Sequence, residues 1–476
     1  MLIWDTLVIV AYIIMIFGLA WQVGGRSFKG KTTVEGQYLA DRSLTFPEVI
    51  CSIIATEVSA LTFLGIPAFA YNTDFNFLQI YIGAILGRFV VARVFIPRIY
   101  GKGITLYEVI SGKDGQASGR RLTALFYATS KILSVGVRLF SGSILIGTFL
   151  GVNAHVGLFV TTLVTFLYTL VGGLKAVVRT DILQMSLFIL GGVVAHYMIP
   201  QVAGLEWSSM MGDAYGAGKT TIFHWSDPWS VIAGLAGGVL FDMSTHGVDQ
   251  DFAQRLMAAR TRAIGQWAIF LSSFISIAVG ALFLGVGALL WSFYQTHPFP
   301  AGVPNADHLF SHFIVTYFPT GLRGLMVAGV LAATMSTLDS TINALCATLH
   351  NDVFPKRDIS KLGRQMLVDN IAITSLIFAV AVIASTNSGL LLLGLKIQSW
   401  TAGALLSLFF ARIVFRPMFQ VRFDALSVFA AYACGVGGVA FNTMWIGGNW
   451  NWNTYYGCGF GLAALFLVGK VRRQKN

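Results

Sequence analysis

Apolar runs of about 20 residues recur from one end of this chain to the other, and that recurrence leaves few folds open. A hydrocarbon core offers no water to backbone N–H and C=O groups, so such segments cross it as helices whose hydrogen bonds close internally. Hydropathy sets about thirteen of them, near residues 2–22, 46–71, 75–99, 119–150, 153–172, 177–200, 228–247, 264–292, 321–346, 367–385, 388–414, 424–441 and 453–470. Only 11% of the 476 residues are charged against 55% hydrophobic, and no long polar stretch interrupts the series. The expectation is one all-α polytopic membrane domain spanning 1–476. The first run has no basic region before it and no small-residue cleavage site after it, so it reads as a span rather than a leader. Cys51, Cys346, Cys434 and Cys458 lie scattered, without the spacing of a disulfide framework or a metal site.

The formal net charge of +11 raises nucleic acid as a partner, but the location of the charge argues otherwise. Lys and Arg gather in alternate loops, at 26–31, 112–121, 254–262, 355–364, 412–422 and 470–475, while the long loops at 206–219 and 294–307 are nearly free of them. This is the positive-inside pattern of a multi-pass protein of the cell membrane, with the N-terminus outside and the C-terminus in the cytoplasm. Nucleic-acid binding needs its bases on one folded face instead. The stretch Gly25–Thr32 matches a phosphate-binding loop letter for letter, and GAGKTT around Lys219 is similar. A transmembrane helix rather than a buried strand precedes Gly25, so it reads as a cytoplasmic loop. The sequence contains no HExxH, GxSxG or CxxC, and its eight His are dispersed. No enzyme is expected.

The polar residues inside the spans are therefore the informative ones. In AATMSTLDSTINA (Ala332–Ala344), helical spacing puts Ala333, Ser336, Thr337 and Ser340 on one face, so a carbonyl and three hydroxyls look one way. Such a strip is either glue between packed helices or a set of hard ligands for a cation. The stretch ATEVSALTFLGIP (Ala55–Pro67) is polar and β-branched early, with Gly65 and Pro67 later, and reads as an interrupted helix. A second Gly-broken polar span is expected at GGVLFDMSTHG (Gly237–Gly247). Each opens a set of five spans, at 46–200 and 228–414, preceded by 1–45 and followed by two helices in 424–476. Because five is odd, the second set is inverted, and paired broken helices in inverted repeats point to a transporter's midplane site.

These residues resemble the sodium/solute symporters, a family that includes sugar, proline, sialic acid, iodide, monocarboxylate and vitamin carriers. The resemblance covers nearly the whole chain. It rests on AATMSTLDS, on GGLKAVVRTDILQ (Gly172–Gln184), on HGVDQDFAQRLMAAR (His246–Arg260) and on the LGIPAFAY that follows the first broken helix. It implies a leucine-transporter-type five-plus-five inverted repeat, and sodium-coupled import of a small organic solute by alternating access. It places the principal Na⁺ site at the carbonyls of Ala55 and Val58 with Ala333, Ser336 and Thr337. A second Na⁺ site would use Asp181, Ser336 and Ser340, with Asp339 standing where some members have a hydroxyl. Hard, mostly neutral oxygens suit Na⁺ over Ca²⁺. Asp181 also admits a plain role as a helix N-terminal cap.

Candidates for the substrate cavity are Thr56, Glu57, Ser59 and Thr62, Phe77 and Tyr81, Lys131 and Arg138, Asp242 and Thr245, and Lys396, Gln398 and Trp400. Arg138 aligns with an Arg that holds a carboxylate in the sialic acid branch, and a guanidinium grips a carboxylate through two parallel hydrogen bonds. A carboxylated solute follows: a monocarboxylate, a vitamin such as biotin or pantothenate, sialic acid or an amino acid. The other reading is that Glu57 neutralises Arg138 or Lys131, since intramembrane charges pair. The sugar branch fits less well, because its Gln is Thr62 here and its Asn is Asp242; the sialic acid branch departs at Tyr81. A sodium-coupled sugar, polyol or inorganic-anion symporter is the alternative, with a sodium-responsive sensor or channel behind it. The partners expected are the solute and the bilayer; a monomer suffices for transport, and oligomers stay open.

Overall fold

The computed structural model describes residues 3–28, 33–111, 117–170, 173–226, 229–355, 362–415 and 422–473. Parts of the basic loops at 26–31, 112–121, 355–364, 412–422 and 470–475, and of the Gly25–Thr32 loop, lie outside these residues.

Every hydropathy segment has a helical counterpart. The chain forms α1 (Ile3–Phe28), α2 (Phe46–Glu57), α3 (Leu61–Asn72), α4 (Leu78–Ile99), α5 (Ala117–Leu150), α6 (Ala154–Thr169) and α7 (Leu174–Ala203). It continues through α8 (Val231–Val248), α9 (Gln250–Ala258), α10 (Arg262–Thr296), α11 (Leu322–Val353), α12 (Leu362–Ala384), α13 (Leu390–Val414), α14 (Ala425–Ile446) and α15 (Asn453–Arg473). Among the described residues ten helices are long and apolar enough to cross a membrane, and the bent pair α2 and α3 makes an eleventh crossing. Helix α6, at 16 residues, is shorter than those. Large apolar side chains such as Leu86, Phe89, Leu376 and Ile383 are exposed on outward faces, where lipid replaces water as their neighbour.

With α2/α3, α4, α5, α6 and α7 matched in order to α8, α10, α11, α12 and α13, three contacts recur with their partners exchanged: α4 packs on α8 as α10 packs on α2 and α3, α5 on α12 as α11 on α6, and α5 on α13 as α11 on α7. Helix α1 is tied to the start of α11 by Asp5, which bonds Arg323 at 2.6 Å and the backbone N–H groups of Gly321 and Gly324 at 2.7 and 2.8 Å.

The two expected breaks turn out differently. Helix α2 ends at Glu57, Val58 is extended (φ −74°, ψ 132°), and the chain restarts at a 60° bend. Hydroxyls make that break tolerable: Leu61 N–H donates to Ser59 Oγ and Ser59 N–H to Thr62 Oγ1, both at 3.2 Å. The interruption thus falls on the polar cluster, and Gly65 and Pro67 lie in the helix beyond it. Helix α8, by contrast, runs unbroken from Val231 to Val248, which corrects the expected break in Gly237–Gly247; the chain turns only at Asp249. Its glycines serve packing instead. A Cβ at Gly238 would sit 2.3 Å from the Ile80 carbonyl, and one at Gly83 on α4 would sit 2.1 Å from the Leu235 carbonyl.

Gly238→Leu should therefore force α4 and α8 apart at a cost of about 1–3 kcal/mol. The measurement is the unfolding midpoint of the detergent-purified protein; an unchanged midpoint would mean that the two helices separate freely.

Candidate functional site

The break after α2 brings its carbonyl end against α11. Ser336 Oγ lies 3.1 Å from the Ala55 carbonyl, and Thr337 Oγ1 donates to the Ala333 carbonyl at 2.9 Å. Val58, the first residue beyond α2, is extended and buried. Ala55, Val58, Ala333, Ser336 and Thr337 thus offer hard, uncharged oxygens from two helices that belong to different repeats. That donor set fits Na⁺.

Asp181 sits eight residues into α7, whose N-cap is Gly173, so the capping role does not apply. It is a buried hub: Ser52 Oγ on α2 reaches it at 2.5 Å, Ser336 Oγ on α11 at 2.6 Å and Arg255 on α9 at 3.4 Å. Arg255 also donates to Ser340 Oγ and, at 2.7 Å, to Ser52 Oγ. A guanidinium therefore already stands among Asp181, Ser336 and Ser340. Asp339 is fully buried, and neither of its carboxylate oxygens meets a donor in hydrogen-bond geometry among the described residues. Its charged and polar neighbours are Asp181, Arg255 and Tyr168.

Nine of the thirteen substrate candidates, Glu57, Ser59, Thr62, Phe77, Tyr81, Arg138, Asp242, Thr245 and Gln398, line one cavity of about 100 Å³. Thr56 does not; its hydroxyl turns back to the Ser52 carbonyl at 2.8 Å. Lys396 and Trp400 lie off the cavity, and Lys131 lines an adjoining one. Gln398 donates to Thr245 Oγ1 at 3.0 Å, joining α13 to α8 across the site. Phe77 and Tyr81 meet edge to face, with centroids 5.5 Å apart.

The charges pair in a way the sequence did not suggest. Glu57 is held by Arg88 on α4 at 2.6 Å and by Ser276 at 2.7 Å, and Asp242 by Arg88 at 3.1 Å and His246 at 2.9 Å. Arg88 is fully buried and spends its remaining donors on Ser272 and Ser276. Lys131 pairs with Asp249 at 2.7 Å and Asp251 at 3.0 Å. Burial works to raise the Asp251 carboxyl, but Lys131 and Arg255 outweigh it and hold the group below the usual carboxylate range. Glu57 therefore neutralises neither Arg138 nor Lys131, and no carboxylate among the described residues lies within ion-pair distance of Arg138. Arg88 and His246 went unnoticed in the sequence, although an Arg in the apolar run GAILGRFVV is itself a signal of a partnered intramembrane charge.

Residues 37–435 match the sodium:solute symporter family. The sodium-coupled monocarboxylate transporter 2 of Bos taurus is 28% identical over 87% of this chain and 69% of its own length. The sodium/sialic acid symporter SiaT of Proteus mirabilis (strain HI4320) is 27% identical over 74% of this chain and 71% of its own. A solved Na⁺-coupled sialic acid symporter, in a substrate-bound outward-open state, superposes with a TM-score of 0.85 at 20% identity over 98% of both chains, a likeness of fold.

The two cavity arginines should answer substitution oppositely. Arg88→Met leaves Glu57 and Asp242 buried without their cation and should cost about 3–5 kcal/mol. Arg138→Met breaks no ion pair and should leave the unfolding midpoint nearly unchanged. Equal losses in the two variants would show that Arg138 has a structural partner.

Proposed function

The chain belongs to the sodium:solute symporter family, and on that premise we propose that it imports a small organic solute bearing a carboxylate, which Arg138 grips. As a member of that family it is a multi-pass membrane transporter coupled to Na⁺, not an enzyme. The observation that carries the substrate class is the lone guanidinium of Arg138 in a cavity where Glu57 and Asp242 are already taken by Arg88. A buried guanidinium with no ion pair among the described residues is costly, and an entering carboxylate relieves the cost. The relatives named for monocarboxylate and for sialic acid carry solutes with that group in common.

The principal Na⁺ site is read at Ala55, Val58, Ala333, Ser336 and Thr337. Na⁺ held there would tie the broken helix to α11. Because α2 and α11 belong to different repeats, that tie sets the position of the bundle (α2, α3, α4, α8, α10) against the scaffold (α5, α6, α11, α12), the relative motion that alternating access needs. Glu57, Ser59 and Thr62 lie at or just past the same break and face the cavity, so ordering the break also orders one wall of the substrate site. By linkage, solute must then raise Na⁺ affinity as much as Na⁺ raises solute affinity. Arg255 supplies a resident cation among Asp181, Ser336, Asp339 and Ser340, so we read one coupling ion rather than two. The basic loops orient the chain with its N-terminus outside and its C-terminus in the cytoplasm.

Thermal stabilisation of the purified protein by a library of monocarboxylates, vitamins, amino acids, sugars and inorganic anions, each in Na⁺ and in K⁺, tests this reading. A carboxylate at about 100 times its Kd should add about 2.7 kcal/mol in Na⁺ and far less in K⁺; equal stabilisation in K⁺ rejects the coupling, and a hit confined to sugars rejects the carboxylate. Ser336→Ala and Thr337→Ala should each weaken Na⁺ binding about tenfold with the fold intact. Arg138→Ala should abolish stabilisation by the carboxylate and spare that by Na⁺.

A further inference from the structure

The substrate cavity does not end at Arg138. A second cavity of about 40 Å³ adjoins it and shares Arg138, Thr245 and Gln398 with it. Its walls come from α5, α8, the start of α9 and α13. On α5 the lining residues Ser130, Lys131, Ser134 and Arg138 follow helical spacing along one face, toward the end of the chain's basic loops. Lys131 stands two turns from Arg138, about 10 Å along the axis.

Lys131 is held by Asp249 and Asp251, yet each of those acids has another donor. Asp249 accepts from Tyr127 and from the Asp251 N–H, both at 2.9 Å, as the cap of α9. Asp251 keeps Arg255 at 2.7 Å. If Lys131 let go, Asp251 would keep Arg255, and Asp249, which lines the cavity, would keep Tyr127 and the Asp251 N–H; loss of Arg255 would leave the fully buried Asp181 with hydroxyl donors alone, and loss of Arg88 would take the guanidinium from Glu57 and Asp242 together. Lys131 is therefore the exchangeable cation of the cluster, and it faces a polar passage that begins at the only cavity arginine without an acid partner among the described residues.

We propose that Lys131 is a second carboxylate-binding residue, on the release path. It receives the solute's carboxylate after Arg138, and in doing so it exchanges Asp249 and Asp251 for the solute. Its ion pairs join α5 of the scaffold to the segment following α8 of the bundle, so arrival of the anion and loosening of that closure are one event. This rests on the carboxylate reading and on the orientation given above.

The test needs no knowledge of the solute. Ser134→Cys places a thiol in the passage, and its rates with the anionic sulfonatoethyl and the cationic trimethylammonioethyl methanethiosulfonates are measured in detergent, after subtracting those of the parent protein with Cys51, Cys346, Cys434 and Cys458. Lys131→Gln should lower the anion-to-cation rate ratio about tenfold, Lys131→Arg should restore it, and Asp249→Asn should raise it. A ratio unmoved by Lys131→Gln overturns the proposal, as does a thiol unreactive in every background, including Asp249→Asn. If Lys131→Gln does not fold, the Asp249→Asn result decides, and a ratio at or below that of Ser134→Cys alone rejects the role. Should the ratios behave as expected while no carboxylate stabilises the protein, the passage and Lys131 stand and only the carboxylate reading falls.

Discussion

The interior of a bilayer holds no water to satisfy a stray polar group, and each feature of this chain's centre answers to that constraint. A helix can stop at Glu57 only because Ser59 and Thr62 take up N–H groups of the broken turn and because a polar cavity lies beside it. The same shortage makes freed carbonyls strong ligands. The Ala55 carbonyl already takes a hydrogen bond from Ser336 across to α11.

Charge obeys the same rule, and pairing it off separates structural from functional residues. Arg88 binds Glu57 and Asp242 so fully that all three belong to the wall. Arg255 ties Asp181 to Asp251 and Ser340, joining α7, α9 and α11 into one buried cluster. What is left over is informative: an arginine facing a cavity with no acid at ion-pair distance among the described residues, and a lysine whose acids have other donors.

Glycine shows why a sequence signal can carry two meanings. Gly237 and Gly238 in a polar span read as a break, but Gly238 lets α8 and α4 approach to backbone contact and Gly237 packs against Asn451. In α2 and α3 the break comes from clustered hydroxyl and β-branched residues, and Gly65 and Pro67 sit within the restarted helix. The difference lies in what stands opposite each segment, a packed helix in one case and a cavity in the other, and that is not a local property.

The order of spans, the five-plus-five inversion and the hydroxyl strip of α11 were determined by the sequence, because hydropathy, an odd count and helical spacing are properties of position along one chain. Most of the cavity lining was legible too, since a polar residue in an apolar span has few places to go. The pairing of Glu57 and Asp242 with Arg88, the intrusion of Arg255 beside Asp181, the distance of Thr56 from the cavity and the solitude of Arg138 were decided by tertiary structure alone. Each depends on which side chain of a distant helix, 31 to 154 residues away in the case of Arg88, comes within 3 Å or so of a charge. Coulomb attraction and desolvation act over such short separations that only the packed arrangement assigns partners.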